Sequence, residues 1–489
     1  MSPRTHRTTV YDLSREILAN IFTQVAQLDP KWAHLRPEKS EGPFALSAVC
    51  SEWRAVATAT PALWDHFDFN FVLPDLERYP TRLKLWLAQT WLRNAKGRPL
   101  VLNLFYRTPW DAQERGIDIS VIPLKEVLEE FAAQISVLSV QCGSSGVLGF
   151  FGQVATGYPL LEELDLHPSA DFDVFTVPPS VQPLFPRLTR LSLSRIGLDG
   201  RDNLQRIDPK LSAVNWSKLT HLRLDRIAEK LPDICTLLEH TPALVVCHII
   251  CISCDLSKVP AYNRTVLENL ETFTLELSSG PAFVKFFQRF EFPALHQLSF
   301  GLSRGSNWPT MHDPAMQVCR AYASCLTGLS LSFECTTKVL ADIVKSTREQ
   351  LTELRIFYTS EIIEALGAKT LRLPRTLETL WIRVDFNEYQ ETKRNEPIAL
   401  TALQAIAKVY GLKAPSRIRR DYEVFVLLET YATAEKSMTV RECEKLARDD
   451  GLRMHTGKMA TDRPMWVGLH PMPFAAGFVS STSYLRPEL

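Results

Sequence analysis

Four residues in the middle of the chain have the types and spacing of a metal site: Cys247, His248, Cys251 and Cys254, in the run CHIICISC. Thiolate and imidazole ligands of this kind bind zinc, but a tetrahedral site needs side chains that converge. Cys247 and Ile249 occupy the apolar positions of an alternating pattern, which sends His248 to the opposite face of the same strand. The run therefore reads as cysteine packing as a small apolar residue, and no metal or cofactor is assigned. Glycine-rich phosphate loops, the Gly-x-Ser-x-Gly elbow and the His-Glu-x-x-His motif do not occur. Ser, His and Asp are present, but no spacing groups them, so the chain is not read as an enzyme. The short basic run Arg417–Arg420 reads as a solvated helix face.

The composition is that of an ordinary globular protein. Of 489 residues, 45% are hydrophobic and 22% charged, with 55 basic side chains balanced by 55 acidic ones. Zero net charge predicts neither a nucleic-acid partner nor an anionic membrane surface. Ten cysteines are too few for a disulfide scaffold and read as reduced thiols. The start, MSPRTHRTTVYDL, lacks the apolar core of a signal peptide, and no apolar run is long enough to span a membrane. The expectation is a soluble cytoplasmic or nuclear protein.

A period runs through the centre of the sequence. The pattern Leu-x-x-Leu-x-Leu, with other apolar residues allowed, occurs ten times, from ISVLSV to LETLWI. Its middle apolar residue is Leu138, Leu164, Leu191, Leu222, Cys247, Phe273, Leu298, Leu329, Leu354 and Leu380, at intervals of 25 to 31 residues. RPLVLNLFY reads as a degenerate opening copy. One hexapeptide means little, but ten in series resemble leucine-rich repeats. Each copy predicts a short strand with inward residues at i and i+2, and the connecting residues return as helix or turn, as in DICTLLEH and AFVKFFQRF. No copy buries its own apolar face, so stacking supplies the core. The Asn or Cys ladder typical of the turn after the strand is missing. Ser169, Ile196, Ile227, Ile252, Ser278, Ser303, Glu334 and Thr359 stand there, which predicts an irregular arc with bulges or inserted loops at the two longest intervals. After about residue 390 the period ends. ALTALQAIAKVYGL and TVRECEKLARDDG look helical and predict a cap over the last strand edge, followed by a partly disordered tail.

Ahead of the repeats lie two amphipathic helical patterns. Ile17, Leu18, Ile21, Phe22 and Val25 form an apolar stripe, with Asp12 as a candidate N-cap. The second helix is predicted from Phe44 to Thr60, with Leu46, Val49, Cys50, Trp53, Val56 and Ala57 on one face. Thr60-Pro61 ends it, and Leu63 and Trp64 close the module. Trp53 reads as the large filler of a core too small to be stable unless it docks on something else. The two blocks LSREILANIF and ALSAVCSEWRAVATATPALW resemble the F-box-like motif of the large fungal F-box family, departing from it at Ser14-Arg15, where that pattern usually has Pro. The resemblance implies a module that binds the Skp adaptor of cullin–RING ubiquitin ligases through residues among Leu13, Ile17, Leu18, Ile21, Phe22, Leu46, Val49, Trp53 and Leu63. Sequence does not separate those that touch the adaptor from those that hold the module together.

The positions flanking the inward residues are expected on the concave face. They are small and polar in the middle copies, but the last two copies offer Arg355, Phe357, Trp381 and Arg383. Aromatic rings beside guanidinium groups are common at interface hot spots. Two readings stay open there: a target protein docks on these four residues, or Phe357 and Trp381 pack under the C-terminal helices. The expected organisation is a tail (1–10), the F-box-like helical module (11–69), a helical linker (70–98), the repeats (99–390), and a helical cap with its tail (391–489). The fold class is an α/β (α+β) solenoid with a parallel sheet on the concave face. The expected function is a substrate adaptor that joins the Skp adaptor and cullin scaffold to an unidentified target. The alternative is a repeat scaffold unconnected to ubiquitination.

Overall fold

The computed structural model describes residues 13–28, 42–72, 81–107, 128–142, 157–168, 184–194, 214–227, 231–251, 264–277, 280–302, 312–333, 335–347, 350–386, 398–410, 423–431, 445, 447, 453–460 and 463–464. The chain forms two compact units, residues 1–216 with 477–489, and residues 217–476. Both are α/β and built on parallel strands. Among the described residues no helix is long and apolar enough to cross a membrane.

The first unit opens with α1 (Arg15–Leu28), α2 (Gly42–Val49) and α3 (Ser51–Ala59), closed by a single 3-10 turn (Pro61–Leu63). The second helical pattern is thus two helices rather than one. Cys50 breaks it: its backbone is extended and its Sγ accepts the Trp53 amide at 3.4 Å, so the thiol acts as N-cap of α3. At α1 the amide of Ile17 donates to Ser14 Oγ at 3.4 Å, a role the sequence suggested for Asp12, which lies outside the described residues.

Strand β1 (His66–Val72) follows directly, then α4 (Thr81–Asn94), β2 (Leu100–Arg107), β3 (Ile135–Cys142), β4 (Glu163–Pro168) and β5 (Arg190–Ser194). All five strands are parallel and pair in chain order. Residues 66–72, expected at the end of the helical module and in a linker, are therefore the first strand of the sheet. HFDFNFV alternates apolar and polar residues, as a half-buried strand should.

The second unit contains β6 (His221–Ile227), α5 (Leu231–Glu239), β7 (Val246–Cys251), β8 (Thr265–Val266), β9 (Thr272–Leu277), α6 (Gly280–Arg289), β10 (Phe290–Glu291) and β11 (Gln297–Leu302). It continues with α7 (His312–Ala321), β12 (Gly328–Ser332), α8 (Thr337–Ser346), β13 (Glu353–Phe357), α9 (Ser360–Gly367), β14 (Thr379–Phe386), α10 (Ile398–Tyr410), β15 (Glu423–Tyr431), β16 (Arg453–Ala460) and β17 (Arg463–Pro464). From β6 to β16 the long strands are parallel neighbours, with β8 and β10 set apart as a small pair and β17 antiparallel to β16.

Each of the ten hexapeptides supplies one strand. Their middle residues meet across the ladder, Phe273 beside Leu298 and Leu298 beside Leu329, with Leu275, Phe300 and Leu331 in the next row. All six are buried against the return helices, where Phe273 stacks on Phe286 at 5.5 Å and Phe283 meets Phe300 at 5.1 Å. Regularity also comes from the backbone ahead of each strand. The amides of Glu271, His296, Thr327, Thr352 and Glu378 donate to the carbonyls of Val245, Glu271, His296, Thr327 and Thr352, at 2.8–2.9 Å. This chain of bonds satisfies the turn groups that side chains would otherwise have to pair. Of the turn positions after the strands, only Ile227 and Thr359 fall among the described residues, and Thr359 caps α9 by accepting the Ile362 amide.

The C-terminal region departs from the helical cap that the sequence predicted. α10 forms as expected, but β15 and β16 then extend the parallel sheet. EVFVLLETY has no Leu-x-x-Leu spacing, so the repeat pattern did not mark it. Of TVRECEKLARDDG only Lys445 and Ala447 are described, both helical. The tail after Pro464, Arg417–Arg420 and Cys254 lie outside the described residues.

Candidate functional site

The N-terminal helices separate two roles that the sequence left merged. Leu18 and Phe22 are buried and Phe22 packs on Trp53 at 4.9 Å between ring centroids. Leu63 is buried, while Leu13, Leu46 and Trp53 are half-buried. These residues hold the module together. Ile17, Ile21 and Val25, one turn apart along α1, are 49%, 41% and 44% exposed, and Val49 at the end of α2 is 59% exposed. Aliphatic side chains this open, repeated at i, i+4 and i+8, make a stripe that the chain itself does not cover.

The module is seated on its unit by an aromatic cluster that the sequence did not reveal. Trp91 of α4 meets Trp64 at 5.5 Å, Phe44 at 5.6 Å and Phe67 of β1 at 5.3 Å. Trp64 and Trp91 are both fully buried, and their indole N–H groups donate to the carbonyls of Ala57 (2.8 Å) and His66 (3.1 Å). The only trace in the sequence is a helical stretch, TRLKLWLAQTWLRN, with more tryptophan than a linker needs.

On the sheet, Arg355, Phe357, Trp381 and Arg383 come together, but not as an open patch. Register places Arg355 beside Trp381 and Phe357 beside Arg383, with Phe425 of β15 next to Trp381. The Arg355 guanidinium lies 4.8 Å from the Trp381 ring and that of Arg383 lies 4.4 Å from Phe357, while Trp381 stacks on Phe425 at 4.5 Å. Arg355 also donates from Nε and Nη2 to Glu353 Oε1, at 2.9 and 2.8 Å. Burial lowers the Arg355 pKa, against the pull of Glu353. Both arginines are buried and both aromatics half-buried. Trp381 is thus covered by a strand where helices were expected. The cation–π contacts tie β13 to β14, and the Trp381–Phe425 stack ties β14 to β15.

Burial extends along much of the polar face of β6, β7, β9, β11 and β12. Asp225, His248, Thr274, Glu276, Ser299, Ser330 and Ser332 are all buried. The Asp225 oxygens, His248 Nε2 and the hydroxyls of Ser299, Ser330 and Ser332 have no hydrogen-bond partner. The nearest cation to Asp225 is Arg223, with Nη2 at 3.6 Å from Oδ2. Desolvation, with Arg223 nearby, holds the His248 pKa well below the usual imidazole range, so the ring is neutral near pH 7. Cys247 is buried on the opposite, apolar face, and desolvation raises its thiol pKa. Among the described residues no three His, Cys, Asp or Glu side chains are grouped to hold a metal.

No protein-family model matches this sequence, and no curated protein matches it.

Proposed function

We propose that the chain is a substrate-recognition adaptor of a Skp–cullin–F-box type ubiquitin ligase, whose parallel strands are an irregular leucine-rich-repeat array. The observation that carries this reading is the uncovered stripe Ile17, Ile21, Val25 on α1, with Val49 exposed at the end of α2. Ile17, Ile21 and Val49 lie within the two sequence blocks that resemble the F-box-like motif, and Val25 one turn beyond the first, on residues the module does not need for its own core. In this reading the adaptor subunit covers the stripe, the repeat sheet holds the target, and the chain performs no chemistry itself. It raises the effective concentration of target near the charged conjugating enzyme, in the cytoplasm or the nucleus.

A second reading has its own support. The Phe44, Trp64, Trp91, Phe67 cluster seats the helices on the first strand, as a cap on a scaffold would be seated. Pull-down of the purified chain with a purified Skp adaptor separates the two. Wild-type protein binds, and Ile21→Asp weakens binding by at least about tenfold with unchanged helical circular dichroism. A folded chain that does not bind, or an Ile21→Asp variant that binds equally well, leaves the scaffold.

A further inference from the structure

The polar face of the first unit's sheet is closed to water. Asp68 of β1, Asn103 of β2, Asp165 and His167 of β4, and Ser192 and Ser194 of β5 are between 1% and 6% exposed. Strand side chains stand roughly perpendicular to their sheet. Aspartate and serine are too short to shield one another, so a face with nothing over it would leave them open. The helix described on this sheet is not the cover, because α4 lies on the apolar face, where Trp91 meets Phe67. Parallel strands are joined by connections that cross one face of the sheet with one hand. In both units that face is the apolar one, as Trp91 on Phe67 and Phe286 on Phe273 show. The cover must come from a segment that joins no two of these strands.

Residues 477–489 are such a segment. They belong to the first unit, although the described strands of its sheet all lie before residue 195. Their sequence, GFVSSTSYLRPEL, carries hydroxyl side chains in a row from Ser480 to Tyr484. Hydroxyls donate to acceptors, and this face has acceptors to spare: Asn103 Oδ1 and Glu163 Oε1 are buried with no hydrogen-bond partner. Asp68 and Asp165 each have an interaction beyond their bonds to Asn103, Ser139 and His167. The length suffices. Extended at about 3.3 Å per residue the segment reaches about 40 Å, and five strands about 4.8 Å apart span about 19 Å. We propose that residues 477–489, which lie outside the described residues, form a strap across the polar face of β1–β5 and close that face to partners. A segment tethered in this way acts at an effective concentration on the order of millimolar, so a partner reaches the face only by displacing it. The proposal does not depend on the adaptor reading. Where that reading also holds, the strap competes with the target.

The test uses the full chain in two arms. Ser192→Cys combined with Ser481→Cys should form an intramolecular disulfide under mild oxidation, mapped by peptide mass. Arg93→Cys, at an exposed position of α4, combined with Ser481→Cys should not. In the second arm Ser192→Cys alone should react slowly with maleimide. Adding Ser481→Asp and Ser483→Asp, which sets carboxylates against Asp68, Asp165 and Glu163, should speed labelling at that position at least about tenfold, with unchanged circular dichroism. If Ser192→Cys does not fold, Ser194→Cys takes its place. Rapid labelling of Ser192→Cys without the aspartates, no disulfide to Ser481→Cys, an equal yield with Arg93→Cys, or unchanged labelling after the aspartate pair overturns the proposal.

Discussion

The strands of the two units are alike in their apolar face and differ in the polar one. In the first unit the polar residues bond one another, across strands or, for His167 and Asp165, within β4. Asn103 donates to Asp68 at 2.6 Å, Ser139 donates to Asp165 at 3.1 Å, His167 bonds Asp165, and Arg190 donates to Glu163 at 3.2 Å. That bonding is incomplete: Ser194 Oγ, Asn103 Oδ1 and Glu163 Oε1 are buried without a hydrogen-bond partner. In the second unit Asp225, His248, Ser299, Ser330 and Ser332 have no such bonds. Polar groups bonded to one another within the fold act as glue, since their burial is partly compensated. Polar groups without such bonds are an unmet demand for donors and acceptors. The same strand pattern thus carries side chains bonded to one another in one unit and a row of unbonded ones in the other.

The largest expected effect tests what the two faces share. Leu164→Ala and Leu298→Ala each empty a fully buried site, and each should cost about 2–5 kcal/mol, measured by hydrogen exchange of the strand amides in its own unit. A large cost in one and none in the other would break the symmetry of the apolar faces. Next comes a pair with opposite signs. Asp165→Asn disturbs a bonded network and should destabilise the first unit by about 1–3 kcal/mol. Asp225→Asn removes a poorly compensated buried charge and should leave the second unit as stable or more so. Destabilisation by both would mean that Asp225 has a structural partner after all.

A smaller effect depends on pH. The folded pKa of His248 lies below its unfolded value, so in mild acid the unfolded chain binds a proton that the folded one does not. Stability of the second unit should be full above about pH 6.5 and fall below it, by up to about 1.4 kcal/mol per pH unit. Exchange of β7 and β9 amides at pH 5 and pH 7 measures this, and His248→Gln should flatten the dependence. The smallest effect is kinetic. Cys247 is fully buried with its thiol pKa raised by desolvation, whereas Cys50 is half-exposed. Maleimide should modify Cys50 first, and Asp225→Asn should slow Cys247 labelling a few-fold without changing Cys50, because Cys247 reacts only when the sheet opens.

The sequence alone determined the ten repeat strands, their parallel order and the inward row from Leu138 to Leu380. Those depend on local periodicity, and a residue such as Leu298 is apolar whichever neighbour it meets. The helical start was legible for the same reason, down to Leu18 and Phe22. Other features depended on contacts between residues far apart in the chain. The break at Cys50 needed the thiol to cap α3, and the seat of the helices needed Trp91 to reach Trp64. Strand β15 joined the sheet by pairing with β14 rather than by any repeat of its own, and so covered Trp381. Whether Ile17 faces out or in, and whether Asp165 finds a Ser139 while Asp225 finds no hydrogen-bond donor, was likewise decided only by tertiary structure. Periodicity says which side of a strand a group occupies, but register and packing decide which group stands next to it.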